Sequence, residues 1–86
     1  MLGIKDLLDA NLITGGTELI WKRNKVKQTH VALINSNGTI TTSDGFIHRT
    51  PSGAAKHLNG NKPVDGWVAW RVKSSGKKLS ELRAKL

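Results

Sequence analysis

Residues 50–70, TPSGAAKHLNGNKPVDGWVAW, decide the fold that the rest of the chain completes. Thr50 before Pro51 predicts a helix start, because the hydroxyl accepts a free backbone N–H and proline is preset for the first helical position. Gly60 predicts the end of this helix after Asn59. A turn then leads into residues 67–73, WVAWRVK, where alternation and β-propensity predict a strand. The stretch therefore predicts a helix, a loop and a strand with two tryptophans.

Side chains on a strand alternate between two faces. One face of the predicted strand holds Val68, Trp70 and Val72, which we expect in the core. The other face holds Trp67 together with Ala69, Arg71 and Lys73. Trp67 has two interpretations: it packs under the preceding helix, or it stacks on a nucleic-acid base with the two cations beside it.

The remaining pattern predicts short elements on both sides of this unit. Ile4, Leu7 and Leu8 have the spacing of an amphipathic helix, and Leu79, Leu82 and Leu86 have that of a closing helix. Four strands are predicted between them, at residues 18–23, 26–34, 39–42 and 46–48. We therefore expect an α+β fold: an antiparallel sheet of four or five short strands, an N-terminal helix, a helix inserted before the last strand, and a C-terminal helix.

Length and composition limit the possible functions. The 86 residues are enough for one small domain, which we place at residues 1–86. Cysteine is absent, so disulfides, thiolate catalysis and the usual structural zinc sites are excluded. No apolar run is long enough to cross a membrane, and no secretion signal is evident. We expect a soluble cytoplasmic protein.

Positive charge is concentrated in one part of the chain. Residues 1–21 carry one lysine and three acidic residues, whereas residues 22–86 carry thirteen lysines and arginines and three acidic residues. A sequence pI near 10.4 with this segregation favours a polyanionic partner, most often nucleic acid. Simple solubility is the alternative explanation.

The first predicted hairpin has a basic tip formed by Lys22, Arg23, Lys25 and Lys27. A cationic ribbon of this kind can follow a phosphate backbone. The same charges would also protect an exposed strand edge from aggregation without any ligand. The pattern leaves both interpretations open.

Catalytic groups are few. His30, His48 and His57 lie far apart in the sequence and have no cysteine or adjacent carboxylate, so we predict no metal site, no cofactor and no catalytic residue. We expect that the protein is not an enzyme.

The sequence contains more groups suited to binding phosphate than groups suited to catalysis. The start of the helix at Pro51 is either a phosphate cradle, made of free N–H groups and the helix dipole, or a plain helix cap. The residues that we predict to contact phosphate are Arg49, Ser52, Lys56, Lys62, Arg71 and Lys73, with Trp67 as the stacking residue. Charge and an aromatic do not distinguish DNA from RNA.

The order of short motifs resembles a known family. Thr-Pro-Ser-x-Ala-Ala, a glycine five residues later and Gly-Trp-x-x-Trp are similar to the restriction enzyme adenine methylase associated (RAMA) domain and its relatives in restriction-modification proteins. The resemblance extends to both ends of the chain, at Leu7–Ile13 with Gly16 and Leu19, and at Gly76, Leu79, Leu82 and Arg83.

This resemblance implies a DNA-associated module linked to adenine methylation, with recognition of N6-methyladenine in DNA as a hypothesis. It also implies that Ser52, Gly66 and Trp67 matter most, Gly66 through backbone geometry. Double-stranded DNA is the expected partner. The alternative is a protein-interaction module that docks on a methyltransferase or restriction subunit through the first hairpin, with Trp21 or Trp67 in the interface.

Overall fold

The computed structural model describes residues 2–86, which form four helices and one antiparallel sheet of five strands in the order β4-β3-β2-β1-β5. These elements confirm the expected α+β fold. In chain order they are α1 (Ile4–Asp9), β1 (Glu18–Arg23), β2 (Gln28–Ile34), β3 (Ile40–Thr42), β4 (Ile47–His48), α2 (Pro51–Leu58), α3 (Gly66–Ala69), β5 (Arg71–Val72) and α4 (Leu79–Arg83).

One face of the sheet packs against the helices. Leu19, Ala32 and Ile34 alternate with outward-pointing residues along β1 and β2, and each is at most 2% exposed. They join buried side chains from all four helices in one hydrophobic cluster. Because strand side chains alternate, the residues between them lie on the opposite face of the sheet.

The N-terminal helix forms where its spacing predicts. Ile4 and Leu7 are buried, and Leu8 packs beside them. The Asp6 carboxylate accepts a hydrogen bond from the Gly3 N–H at 2.7 Å, which satisfies one free donor of the first turn. Asn11 follows the helix with φ 57°, a conformation that asparagine tolerates better than most residues.

The first hairpin is shorter than expected. The strand predicted from Val26 begins at Gln28, because Arg23 pairs with Gln28 and leaves residues 24–27 as a four-residue loop. Lys27 adopts φ 50° to close that loop, and its N–H donates to the Asn24 carbonyl at 3.3 Å. The basic tip is therefore a loop beyond the ladder.

The strand predicted for residues 67–73 is wrong over its first half. Gly66–Ala69 is a single helical turn, capped by the Asp65 carboxylate that accepts from the Trp67 N–H at 3.1 Å, and only Arg71–Val72 pairs as a strand. Trp67 and Trp70, three residues apart, therefore point to the same side and are both buried, while Val68, expected in the core, is 47% exposed.

The closing helix is also shorter than predicted. Leu79 and Leu82 are buried as expected. Leu86, the third residue of the predicted apolar stripe, lies beyond the end of α4 at Arg83 and is 45% exposed. The apolar stripe that closes the core is therefore only one turn long.

Candidate nucleic-acid interface

The motif residues at the start of α2 hold two helices together. Thr50 caps α2 by accepting from the Gly53 N–H at 2.9 Å, and the Ser52 hydroxyl accepts from the Gly66 N–H at 3.0 Å. Gly66 lies so close to α2 that a Cβ there would be 2.1 Å from the carbonyl carbon and oxygen of Pro51 and 2.4 Å from the Ser52 nitrogen. The first turn of α2 is thus covered by α3, which favours the helix-cap interpretation over a phosphate cradle.

Both tryptophans of the motif complete this junction. The Trp70 indole is fully buried and donates to the Pro51 carbonyl at 3.1 Å. Trp67 is 9% exposed, and the Arg83 guanidinium lies 4.2 Å from the centre of its ring. The role of Trp67 as a stacking residue is therefore not supported: its indole is in the core, and a cation of the same chain covers it.

The predicted phosphate-contacting residues lie on two sides of the molecule. Arg49, Lys56 and Lys62 are exposed beside α2. Arg71 pairs with Ile20 on the face of the sheet away from the helices. Lys73 lies beside Arg71, with its ammonium 3.1 Å from the Glu18 carboxylate. Lys56 thus lies on α2 and Arg49 and Lys62 lie on either side of it in the chain, whereas Arg71 and Lys73 lie at the β5 edge of the sheet.

The basic hairpin joins the first group. The Arg23 guanidinium donates to the Asn59 side chain at 2.7 Å, and the Asn59 amide donates to the Lys62 carbonyl at 3.2 Å. These bonds hold the hairpin against the C-terminal end of α2. We refer to the combined set as the α2–hairpin surface; it comprises Arg23, Lys25, Lys27, Arg49, Lys56 and Lys62.

The α2–hairpin surface has little compensating negative charge. Residues 19–43 and 45–64 contain no aspartate or glutamate, and Asp44 between them is already bonded within the chain. The Thr42 hydroxyl donates to Asp44, and the His57 imidazole lies 2.6 Å from its other oxygen. The hydrogen bonds from Thr42 and His57 lower the pKa of Asp44 to about 2. Asp44 therefore fixes the β3–β4 turn to α2.

Phe46 was missed by the sequence reasoning. Its ring is 58% exposed and lies 4.8 Å from the His57 imidazole, next to Lys56 on α2. The sequence gives little indication of this, because a single phenylalanine after a Ser-Asp-Gly turn is typical of an ordinary strand residue. Among the aromatic rings of Phe and Trp within residues 2–86, that of Phe46 is the most exposed.

Within residues 2–86, no group of three or more His, Asp or Glu side chains is placed to hold a metal ion. His48 and His57 have ring centres 4.9 Å apart. Burial lowers the pKa of His48; the charge of His57 lowers it further, and the charge of Asp44 raises it.

Over the same residues, no helix has the length and apolar character needed to cross a membrane.

Comparison with known proteins identifies the family of the chain. None of the curated proteins matches the sequence. The family model described as Restriction Enzyme Adenine Methylase Associated matches residues 2–86, so it includes the α2–α3 junction as well as both terminal helices. The chain therefore belongs to the RAMA family, whose members are associated with the adenine methylases of restriction-modification systems.

Proposed function

We propose that the protein is a non-catalytic DNA-binding module of a restriction or adenine-methylation system, and that it contacts duplex phosphates through the α2–hairpin surface. The observation that carries this proposal is the pair of hydrogen bonds through Asn59, which ties the Arg23 guanidinium to the backbone carbonyl of Lys62 and so holds the hairpin against the end of α2. Cations held on neighbouring elements release counterions together when they meet a phosphate backbone.

The dimensions suit a duplex. Helix α2 has eight residues and is therefore about 12 Å long, and one DNA strand presents a phosphate about every 3.4 Å of helical rise. Because consecutive phosphates also wind around the DNA axis, α2 can follow only a short run of them on one strand, between Arg49 at one end and Lys62 at the other. The hairpin loop then reaches further phosphates with Lys25 and Lys27.

Exposed side chains, rather than the helix N-terminus, make these contacts. The Gly53 N–H is bonded to Thr50, and Gly66 packs against the Ser52 nitrogen. The Ser52 hydroxyl oxygen accepts from Gly66 but keeps its hydrogen for donation. Phe46 supplies the aromatic face beside α2 that Trp67 does not.

The test is a titration of a short DNA duplex, followed by fluorescence anisotropy, at 50 and 200 mM salt. Six phosphate contacts predict an affinity loss of about a thousandfold over this range. The double variant Lys56→Gln/Lys62→Gln should reduce the slope of log affinity against log salt by about 2. The matched control, Arg71→Gln/Lys73→Gln, removes the same charge from the other side of the sheet and should leave the slope nearly unchanged. Equal effects of the two variants, or no binding at 50 mM salt, would contradict the proposal.

The same titration tests the finer hypotheses. A duplex with N6-methyladenine that binds more tightly than its unmethylated counterpart would support recognition of the methyl group. An RNA duplex that binds as well as DNA would show that the phosphates alone are recognised. Recovery of the DNA unchanged after long incubation is the outcome expected of a non-catalytic module.

Docking on a methyltransferase or restriction subunit is the second candidate function, and the family association favours it. Of the two tryptophans expected in such an interface, Trp67 is buried, and Trp21 is half-buried against Trp70 and His30. Partner docking therefore needs another surface. A complex formed in this way should be far less sensitive to salt than DNA binding.

A further inference from the structure

The sheet face away from the helices carries exposed hydrophobic side chains. Val31 is 38% exposed, Leu33 43% and Ile47 68%, and all three lie on this face because their strand neighbours point into the core. We refer to the face as the open sheet face. Hydrophobic side chains that cluster in this way on a small protein commonly mark an interaction site.

The strand register arranges the open sheet face in two rows. One row runs from Arg71 through Ile20 to Val31, across β5, β1 and β2. The next runs from Glu18 through Leu33 and Thr41 to Ile47, across β1, β2, β3 and β4. Directly opposed residues are about 5 Å apart, so each row is continuous. Five strands at a spacing of about 4.8 Å span roughly 19 Å, the length of a helix of about 13 residues.

The β1–β5 end of the open sheet face is basic. A groove of about 420 Å³ lies there, lined by Ile20 together with Lys22, Arg71 and Lys73. No described residue that lines the groove is acidic. Glu18 also lies at this end, opposite Leu33, and its carboxylate is paired with Lys73 at 3.1 Å. Lys22 has no ion pair within residues 2–86. A partner's carboxylates would therefore meet cations at this end and hydrophobic side chains beyond it.

Two other occupants fit the open sheet face less well. A second copy of this chain would bring together two molecules of formal net charge +8, whose mutual repulsion opposes association. DNA would place phosphates over Val31 and Leu33, which offer neither charge nor hydrogen bonds. An acidic amphipathic helix complements both the apolar rows and the basic end.

We propose that the open sheet face binds an amphipathic helix of a partner protein, with its apolar stripe on Val31, Leu33 and Ile47 and its acidic residues at Lys22 and Arg71. This proposal rests on the partner-docking candidate, to which it assigns a surface and a partner chemistry. It is independent of DNA binding, because α2 lies on the other side of the sheet.

The probe is a synthetic helical peptide of about 14 residues with leucines at i, i+3, i+4 and i+7 and glutamates at one end, titrated into methyl-labelled protein and followed by NMR. Shifts should concentrate on Ile20, Val31, Leu33 and Ile47. A matched peptide with lysines in place of the glutamates should bind about tenfold more weakly, because its charges face Lys22 and Arg71.

Matched protein variants complete the test. Val31→Thr/Leu33→Thr removes apolar surface on β2 and should weaken acidic-peptide binding about tenfold, provided that the amide spectrum stays dispersed. Lys56→Gln/Lys62→Gln, on the other face, should leave it unchanged within about twofold.

Four results would overturn the proposal: no shifts on the open sheet face at millimolar peptide, equal binding of the lysine peptide, shifts on this face with duplex DNA, or dimerisation without peptide. A methyltransferase subunit that bound with shifts confined to another face would also overturn it, but would leave the partner-docking candidate in place.

Discussion

At the scale of single residues, Gly66 is the glycine with the least space for a side chain. A Cβ there would meet backbone atoms of Pro51 and Ser52 at 2.1 to 2.4 Å, and backbone cannot move aside as a flexible side chain can. We expect Gly66→Ala to lower the free energy of unfolding by ~3 kcal/mol or more, or to prevent folding. Urea denaturation followed by tryptophan fluorescence measures the change.

Gly60→Ala is the matched control for that substitution. Gly60 has φ +61° but open space around the position of a Cβ. Alanine there should therefore cost only the left-handed backbone conformation, about 1 kcal/mol. Gly66 itself lies in α3 and has no positive φ. If both variants lost the same stability, the contact between Gly66 and α2 would therefore not be the constraint that we infer.

His30 predicts a pH dependence of stability. Its Nε2 is buried without a hydrogen-bond partner within residues 2–86, and its ring lies 5.3 Å from that of Trp21. Burial, with Arg23 nearby, lowers the pKa of His30 from 6.5. The unfolded chain therefore binds more protons than the folded one just below pH 6.5, so stability should be greatest above that pH and fall on acidification.

Urea denaturation at pH 7.5 and pH 5.5 tests this expectation. His30→Gln removes the titrating group, so its free energy of unfolding should change less between the two pH values. Part of the dependence should remain, because the lowered pKa of His48 acts in the same direction. The expectation is wrong if wild type and His30→Gln respond equally to pH.

At the scale of elements, the sequence predicts the boundaries of α2 well and those of α3 badly. Thr50, Pro51 and Asn59 carry local chemistry that decides where α2 begins and ends, and the structure confirms it. The hydrophobic residues after Asp65 fit two patterns. Their alternation predicts a strand, whereas the spacing of Trp67 and Trp70 is that of a helix. Tertiary packing decides between them, because only the helical turn buries both indoles under α2.

The contact between the hairpin and α2 yields an element-scale prediction. Asn59 accepts from Arg23 and donates to Lys62, so Asn59→Ala should cost ~1 kcal/mol and speed amide exchange in loop residues 24–27. Arg23→Gln should do the same, and the double variant should cost clearly less than the sum of the single changes. Strict additivity would show that the two side chains do not interact.

At the scale of the whole molecule, the excess of positive charge can be predicted from the sequence, but the surfaces on which the cations lie cannot. The excess of lysine and arginine after residue 21 indicates a polyanion without reference to structure. Which cations share a surface depends on the sheet: Arg71 and Lys73 follow the motif in sequence, yet the ladder with β1 turns them away from Lys56. Phe46 likewise becomes a surface aromatic only because β4 lies at the sheet edge.

The α2–hairpin surface and the open sheet face lie on opposite sides of one sheet, so they should bind DNA and the peptide independently. We expect saturation with duplex DNA to leave the affinity for the acidic helical peptide unchanged within about twofold. The two sites share only β1, which turns Arg23 to one side of the sheet and Ile20 and Lys22 to the other, so the coupling free energy should be near zero. Calorimetric titration of the peptide into free and DNA-saturated protein measures this directly. Mutual exclusion of the two ligands would place both on one surface.

The burial of the motif in the α2–α3 junction has a consequence for classification. Ser52, Gly66 and Trp70 make their contacts within the chain itself, so these motif residues report the fold of the domain. None of these contacts involves the side chains of Lys25, Lys27, Lys56 or Lys62. The fold of the family and the binding of nucleic acid therefore depend on different residues. A RAMA domain with acidic residues on α2 should keep the fold and lose the affinity for DNA.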